Sequence, residues 1–275
     1  MTPRQEPVPK LREARYSQSL ERGLAILRIF TPERPVLGIA EIADELGMSR
    51  STTHRYVITL VALGFLEQGA SRKYRLDIRV ADIGMLVLNA TGLRNSRVHA
   101  HLEELRQRTS LTASIAVLDE TEIVYVDRAR SHSNGESLLG LQVRTGSRLP
   151  AHCTAMGKLL LANLPASELR EVLPQVTFAP RTPKTIITKT SLDDSLAEIR
   201  EQGFAINNEE WTLAVNAIAV PVRVDSGKVV AALGLVGRST TTSLETLVND
   251  VRPLAESTTS DVAAGINGLW FAEDW

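Results

Sequence analysis

One cysteine, Cys153, stands among 275 residues. A lone thiol closes no internal disulfide, so burial must hold the core together, and the composition suits a reducing compartment. Aromatic residues are 4% of the chain, too few for a platform that stacks single-stranded bases. No apolar run reaches the roughly 18 residues a membrane-spanning helix needs. The stretch "MTPRQEPVPKLREAR" lacks the apolar segment of a signal peptide. Residues 1–16 are therefore expected to be a loose tail, and the protein to be cytoplasmic with no membrane partner.

Catalytic and metal motifs are missing as well. "HCTAMGKL" departs from the phosphate loop G-x-x-x-x-G-K-[ST] at both ends, with His152 in place of the first glycine and Leu159 in place of the hydroxyl. His152 and Cys153 are adjacent, so they cannot readily face each other as an imidazole–thiolate dyad, and no G-x-S-x-G is present. His99 and His101 fall on different sides of a helix, with no cysteine or carboxylate cluster to help them. No enzyme activity, no metal and no cofactor is expected.

What is present is unevenly charged. The net charge is −1, yet residues 1–80 hold 13 Lys+Arg against 9 Asp+Glu, and the remainder holds 18 against 23. A small positive module on a negative body suits a polyanionic partner. Its pattern is helical. "QSLERGLAILRIF" puts Leu20, Leu24, Leu27 and Phe30 on one stripe, and Pro32 and Pro35 end it. "IAEIADELG" places Ile39, Ile42, Ala43 and Leu46 at helical spacing before Gly47. Met48 then leads to Ser49, a strong N-cap type. Two short helices across a glycine turn form the helix-turn-helix pattern, which core helix pairs also share.

The next helix separates the two readings. At 100° per residue, Thr53, Tyr56, Val57, Leu60 and Val61 share one face, and Ser51, Thr52, Arg55 and Thr59 the other, with Arg50 at the start. Ser49, Arg50, Ser51, Thr52, Arg55 and Thr59 are the candidate duplex-DNA contacts, Arg55 for a guanine edge and Arg50 for a phosphate. His54 sits at the boundary. "FLEQGASRKYRL" follows as two short strands around a Gly-Ala-Ser turn. A hairpin there is a wing, and Arg72 and Lys73, with Arg75 close by, are candidate phosphate contacts. Residues 17–80 are thus read as a winged helix-turn-helix.

Residues 81–95 read as a linker helix. Ile83, Met85, Leu86, Val87 and Leu88 make it apolar around most of its circumference, so it enters a second core or pairs with another chain. Pairing is favoured, because two-fold operators mirror two-fold proteins; a homodimer, or a dimer of such dimers, is expected. Residues 96–270 alternate helices and hairpins. "SRVHAHLEELRQRT" turns Val98, Leu102 and Leu105 inward, and hairpins are expected about 119–121 and 225–227. A strand is expected to end at Gly146, a helix to be capped by Ser191 and stopped by Gly203, and a last helix to span 244–266. The fold class is α+β, with helices packed on an antiparallel sheet.

"SLERGLAILRIF", "IAEIADELGMSRSTTHRYVITLVALGFL" and "KYRL" together resemble the N-terminal domain of the IclR family of bacterial transcriptional regulators. The resemblance continues through "RTGSRLPAHCTAMGKLLLA", "GFAINNEEWTLAVNAIAVPV" and "AALGLVG". "QSLERGLAIL" and "SIAVLDETEIVYVDR" look most like the PcaR/PcaU/PobR branch, whose members regulate aromatic-acid and β-ketoadipate catabolism. It implies a GAF-like C-terminal sensor for a small organic acid, aromatic or dicarboxylic, and control of a catabolic operon. Carried over by motif, the effector contacts are Ala155, Met156, Asn207, Ala217, Gly234 and Val236. The family often has Asp, Cys or Ser at the last four positions. Their loss implies a wider, more apolar pocket and a ligand larger or more aromatic than glyoxylate or pyruvate. His152 or Arg130 is a candidate partner for the ligand carboxylate, set against a plain surface contact for each.

Overall fold

A computed structural model describes residues 16–131 and 143–268, which fall into two compact units divided between Leu86 and Val87. Residues 1–15 of the expected tail lie outside the described residues.

The smaller unit is built on three helices, α1 (Gln18–Arg28), α2 (Ile39–Leu46) and α3 (Arg50–Ala62), and on the hairpin β1 (Leu66–Gln68) and β2 (Tyr74–Leu76). Gly47 ends α2 at φ 62°, a left-handed position that costs glycine nothing, and its N–H reaches the Ala43 and Asp44 carbonyls. Ser49 then caps α3. Ile26, Ile29, Ile42, Val57, Leu60, Leu66 and Tyr74 fill the core. The stripe expected on α1 is corrected: Leu20 and Leu24 are 63% and 52% exposed, and Ile26 and Ile29 carry the buried face. Ile26 and Ile29 stand about 120° or more around the helix from Leu20 and Leu24, so the buried face is turned away from those two, while Leu27 and Phe30 of the stripe still pack at its edge. α4 (Val80–Thr91) follows, with Ile83, Met85, Leu86 and Val87 exposed.

The larger unit is a six-stranded antiparallel sheet in the order β5-β4-β3-β8-β7-β6. Its strands are β3 (Thr112–Asp119), β4 (Glu122–Ala129), β5 (Arg148–Pro150), β6 (Ala205–Asn208), β7 (Val215–Arg223) and β8 (Val229–Arg238). The β3–β4 and β7–β8 hairpins, both expected, join along β3 and β8. On one face lie α5 (Ser96–Thr109), burying Val98, Leu102 and Leu105, and α10 (Arg252–Ala264). The other face carries α6 (Ala155–Ala162) and α8 (Lys189–Gln202), whose Leu159, Leu161, Leu192 and Leu196 pack over Ala116, Ala219 and Ala232. Small residues on that face let the helices approach closely. α7 (Ala166–Val172) is a short connection.

Three expectations change here. The strand expected to end at Gly146 lies partly outside the described residues, and strand structure resumes only at Arg148, beyond the turn at Gly146. The cap of α8 is Thr188, whose hydroxyl accepts the Ser191 N–H; Ser191 is already in the first turn. The last helix contains a π-helical segment, Leu247–Val251, between α9 (Leu244–Thr246) and α10.

Candidate DNA-reading face and effector pocket

On α3, Thr53, Val57 and Leu60 are buried, and Arg50, Ser51, His54, Arg55 and Thr59 are exposed. His54 therefore stands with the polar face. Several hydroxyls of that face also hold the helix. Ser49 Oγ accepts the Thr52 N–H at 3.2 Å and donates to Thr52 Oγ1 at 2.8 Å, and Ser51 Oγ lies 3.1 Å away. Thr59 donates to the Arg55 carbonyl. The Arg55 guanidinium lies 5.8 Å from the Tyr56 ring, and Tyr56 donates to Ser19 on α1. That arrangement holds Arg55 near the ring while its fork stays in solvent.

On the hairpin, Arg72 sits in the turn at φ 58° and is exposed. Lys73 reaches Glu41 on α2 at 3.1 Å, and Arg75 pairs with Glu67 across the strands. Glu41 also accepts the Gly38 N–H at 2.7 Å. That bond first, then Lys73, holds its carboxyl below the usual value. Both Lys73 and Glu41 are exposed, so the pair is weak and Lys73 can exchange it for a phosphate.

In the larger unit, α6 starts at Thr154, whose hydroxyl accepts the Gly157 N–H. The Ala155 and Met156 N–H groups have no acceptor within the helix, as in any first turn. Between this turn and the sheet lies a cavity of about 60 Å³, and Ala155, Met156, Asn207, Ala217, Gly234 and Val236 all line it. The wide pocket expected from those residues is not what they make. Met156 lies over Gly234: a Cβ there would sit 2.7 Å from Met156 Cγ and Sδ. Asn207 is buried, donates to the Cys153 carbonyl at 2.7 Å and accepts the Glu210 N–H at 3.3 Å, so much of its amide is spent on the fold.

Ser114, Tyr125, Arg128 and Trp211, none of them expected, also line the cavity. Arg128 Nε donates to Ser114 Oγ at 3.0 Å, the guanidinium lies 5.1 Å from the Tyr125 ring, and Nη1 reaches the Val143 carbonyl. A β-bulge aims it. Ala116 pairs with Tyr125 and Ile115 with Asp127, which leaves Val126 as the extra residue of β4. Before the bulge Ile123 and Tyr125 face the α6 layer; after it, Arg128 does. Asp127 then faces α5, where it takes His99 Nδ1 at 3.0 Å, and it accepts the Arg128 N–H at 2.8 Å. Strict alternation through "IVYVDRA" would have put Arg128 on the wrong face; the available signal was the adjacent charged pair Asp127 and Arg128 after an apolar run.

Of the two candidate carboxylate partners, Arg130 fits its surface-contact alternative and His152 is buried away from the cavity. Arg130 lies beyond the end of β4 and is exposed, and neither it nor His152 lines the cavity. Burial, then the charges of Arg181 and Lys158, push the His152 imidazole down to about 4, so it is neutral at pH 7. Burial, then Glu210, pushes the Cys153 thiol up to about 12. Beside them Lys158 and Glu210 form a buried ion pair at 2.6 Å. Among the described residues, no group of three or more His, Cys, Asp or Glu is placed to hold a metal, and no helix is long and apolar enough to cross a membrane.

Two family descriptions match this architecture: the IclR helix-turn-helix domain over residues 19–70, and the bacterial transcriptional regulator IclR C-terminal domain over residues 85–262. The chain belongs to the IclR family. The HTH-type transcriptional regulator XynR of Escherichia coli K12 is 36% identical over 79% of this chain and 85% of its own length. The p-hydroxybenzoate hydroxylase transcriptional activator of Acinetobacter baylyi is 32% identical over 92% of this chain and 93% of its own. An IclR homologue from Microbacterium hydrocarbonoxydans, solved in complex with 4-hydroxybenzoate, superposes with a TM-score of 0.75 at 28% identity, over 90% of this chain and 99% of that one. As an IclR-family chain with both domains, it is a DNA-binding transcriptional regulator with a ligand-binding C-terminal domain. These curated relatives are regulators, not enzymes.

Proposed function

We propose that the effector is an organic acid, of aromatic type, and that its carboxylate is held by Arg128. The observation that carries this is Arg128 in the cavity wall, steadied by Ser114 and the Tyr125 ring, where a bidentate guanidinium matches a carboxylate. The first turn of α6 supplies backbone N–H groups to the same cavity, so an acid with a second polar group, a phenol or another carboxylate, suits it. The apolar walls Tyr125, Leu149, Trp211, Ile218 and Val236 favour a ring between these polar ends. The printed names of two relatives, one an activator for p-hydroxybenzoate hydroxylase and one bound to 4-hydroxybenzoate, support the same class.

On the DNA side, Ser49, Arg50, Ser51, Thr52, Arg55 and Thr59 are the major-groove contacts in this reading, and Arg72 and Lys73 hold phosphates beside them. Two copies act together, paired through the exposed apolar residues Leu20 and Leu24 of α1 and Ile83, Met85, Leu86 and Val87 of α4. Acid binding favours one arrangement of the pair by about 1–3 kcal/mol and so alters operator affinity. The target is an operon of aromatic or organic-acid catabolism, and the site of action is the cytoplasm.

The test is calorimetry of the full chain against pyruvate, succinate, benzoate and 4-hydroxybenzoate, alongside a mobility shift of the promoter upstream of its own gene. The aromatic acids are expected to bind and to change the shift, and Arg128→Gln to abolish both effects while leaving DNA binding without acid intact. A clear preference for pyruvate refutes the aromatic assignment.

A further inference from the structure

The cavity is too small for the ligand class just proposed. An isolated benzene ring is held in a cavity of about 150 Å³, and this one measures about 60 Å³. Some side chain must leave before a ring can enter. The walls differ in how easily they move. Ala155, Ala217 and Gly234 have nothing to move, and Ile218, Leu235 and Val236 are branched side chains on paired strands. Arg128 is tied to Ser114 and to the Val143 carbonyl, and Trp211 is stacked under Arg181 at 4.3 Å. Met156 is different. Its thioether chain is unbranched, with three rotatable bonds, and it rests on the bare backbone of Gly234.

We propose that Met156 is a plug: its side chain occupies the space over Gly234 that the ring of the acid takes, and it sets the size of effector the protein accepts. This rests on the organic-acid reading of the same cavity. Gly234 is the other half of the device. Any side chain there would place a Cβ 2.7 Å from Met156 Cγ and Sδ and 3.2 Å from Cε, so glycine is what allows the closed position. At the same time the Met156 N–H belongs to the first turn of α6, so the residue that blocks the cavity also lines the polar end of it. Small two- or three-carbon acids can occupy the residual space with the plug in place; a ring cannot. Binding of a ring therefore draws only on the fraction of molecules with the plug swung out.

The experiment is calorimetry of the full-length wild type, Met156→Ala, Gly234→Ala and the double variant with pyruvate, benzoate and 4-hydroxybenzoate, with thermal unfolding of each. If the open rotamer is populated about one time in ten, Met156→Ala binds the two aromatic acids about tenfold more tightly. Pyruvate changes little. The same variant unfolds at a lower temperature, because it leaves a cavity. Tighter binding with lower stability is a combination that a merely structural methionine does not give. Gly234→Ala puts a methyl into the space over β8 that the ring takes and weakens aromatic binding, and the added Met156→Ala, which clears the rest of that space, restores it. If Met156→Ala leaves aromatic affinity unchanged or lowers it, or raises pyruvate affinity equally, the plug is wrong and the organic-acid reading stands. Gly234→Ala keeps the question open to refutation should Met156→Ala not fold: unaltered aromatic binding there also overturns the plug. If no acid binds any of the four proteins, the organic-acid reading falls and the plug with it.

Discussion

On α3 the side chains with chemistry stand in solvent above a core of Ile26, Ile42, Val57 and Leu60, and the polar residue buried there, Thr53, spends its hydroxyl on the Ser49 carbonyl. Around α6 the reverse holds. His152, Lys158, Asn207 and Glu210 are all buried, and Arg128 is half-buried in the cavity wall. A module that reads DNA must keep its donors hydrated until a large partner arrives. A sensor of a small acid must exclude water to gain anything from one arginine. The first region can therefore tolerate loss of its exposed arginines, whereas Ser49, the cap of α3, also holds the helix. The second cannot, because Lys158 with Glu210, and Asn207 with the Glu210 N–H and the Cys153 carbonyl, are one another's buried partners.

The sharpest break in this contrast is the Lys158–Glu210 pair. Glu210→Ala leaves a buried ammonium unpaired and is expected to cost about 3–5 kcal/mol in urea unfolding. Lys158→Met with Glu210→Leu is expected to recover most of it. A cost for Glu210→Ala well under about 1 kcal/mol would mean that water reaches the pair. His152 gives the next effect. Its pKa falls from 6.5 to about 4 on folding, so the unfolded chain binds more protons between those values. Stability is full above pH 6.5 and is lost as pH falls toward 4, by about 2 kcal/mol between pH 7 and pH 5. Unfolding of His152→Gln over that range should lack this slope.

On the DNA side the expected costs are to binding and not to folding. Arg55→Ala is expected to lose about 1–3 kcal/mol of discrimination between operator and scrambled duplex, with an unfolding midpoint near the wild type's. Lys73→Ala is the smallest: its exposed pair with Glu41 is worth about 0–1 kcal/mol to stability. It should weaken all duplexes alike and flatten the salt slope by about one unit. If Arg55→Ala unfolds the module, the polar face is structural after all.

The helix pair, the Gly47 turn, the Ser49 cap and the inward Thr53 were legible because helical phase is local: a residue's face follows from its neighbours along one turn. The hairpins were legible for the same reason, through their turn residues. Leu20 and Leu24 were misjudged because periodicity says which residues share a face, not which of two apolar faces meets the core. Ser191 was mistaken for a cap because Thr188 is an equally good one three residues earlier. Ala155, Met156, Asn207, Ala217, Gly234 and Val236 came together through family likeness, not through spacing, since they lie on α6, β6, β7 and β8.

By itself the sequence determined a basic helix-turn-helix with a wing and an α+β domain beyond it, because caps, turns and amphipathic phase are short-range properties of the chain; the family came from the likeness of longer motifs. Only the tertiary structure decided which cation faces the cavity and how much room is left there. The bulge at Val126 reverses the facing of every later residue of β4 and turns Arg128 inward. The approach of Met156 to Gly234 joins residues 78 positions apart, and no local rule carries that information.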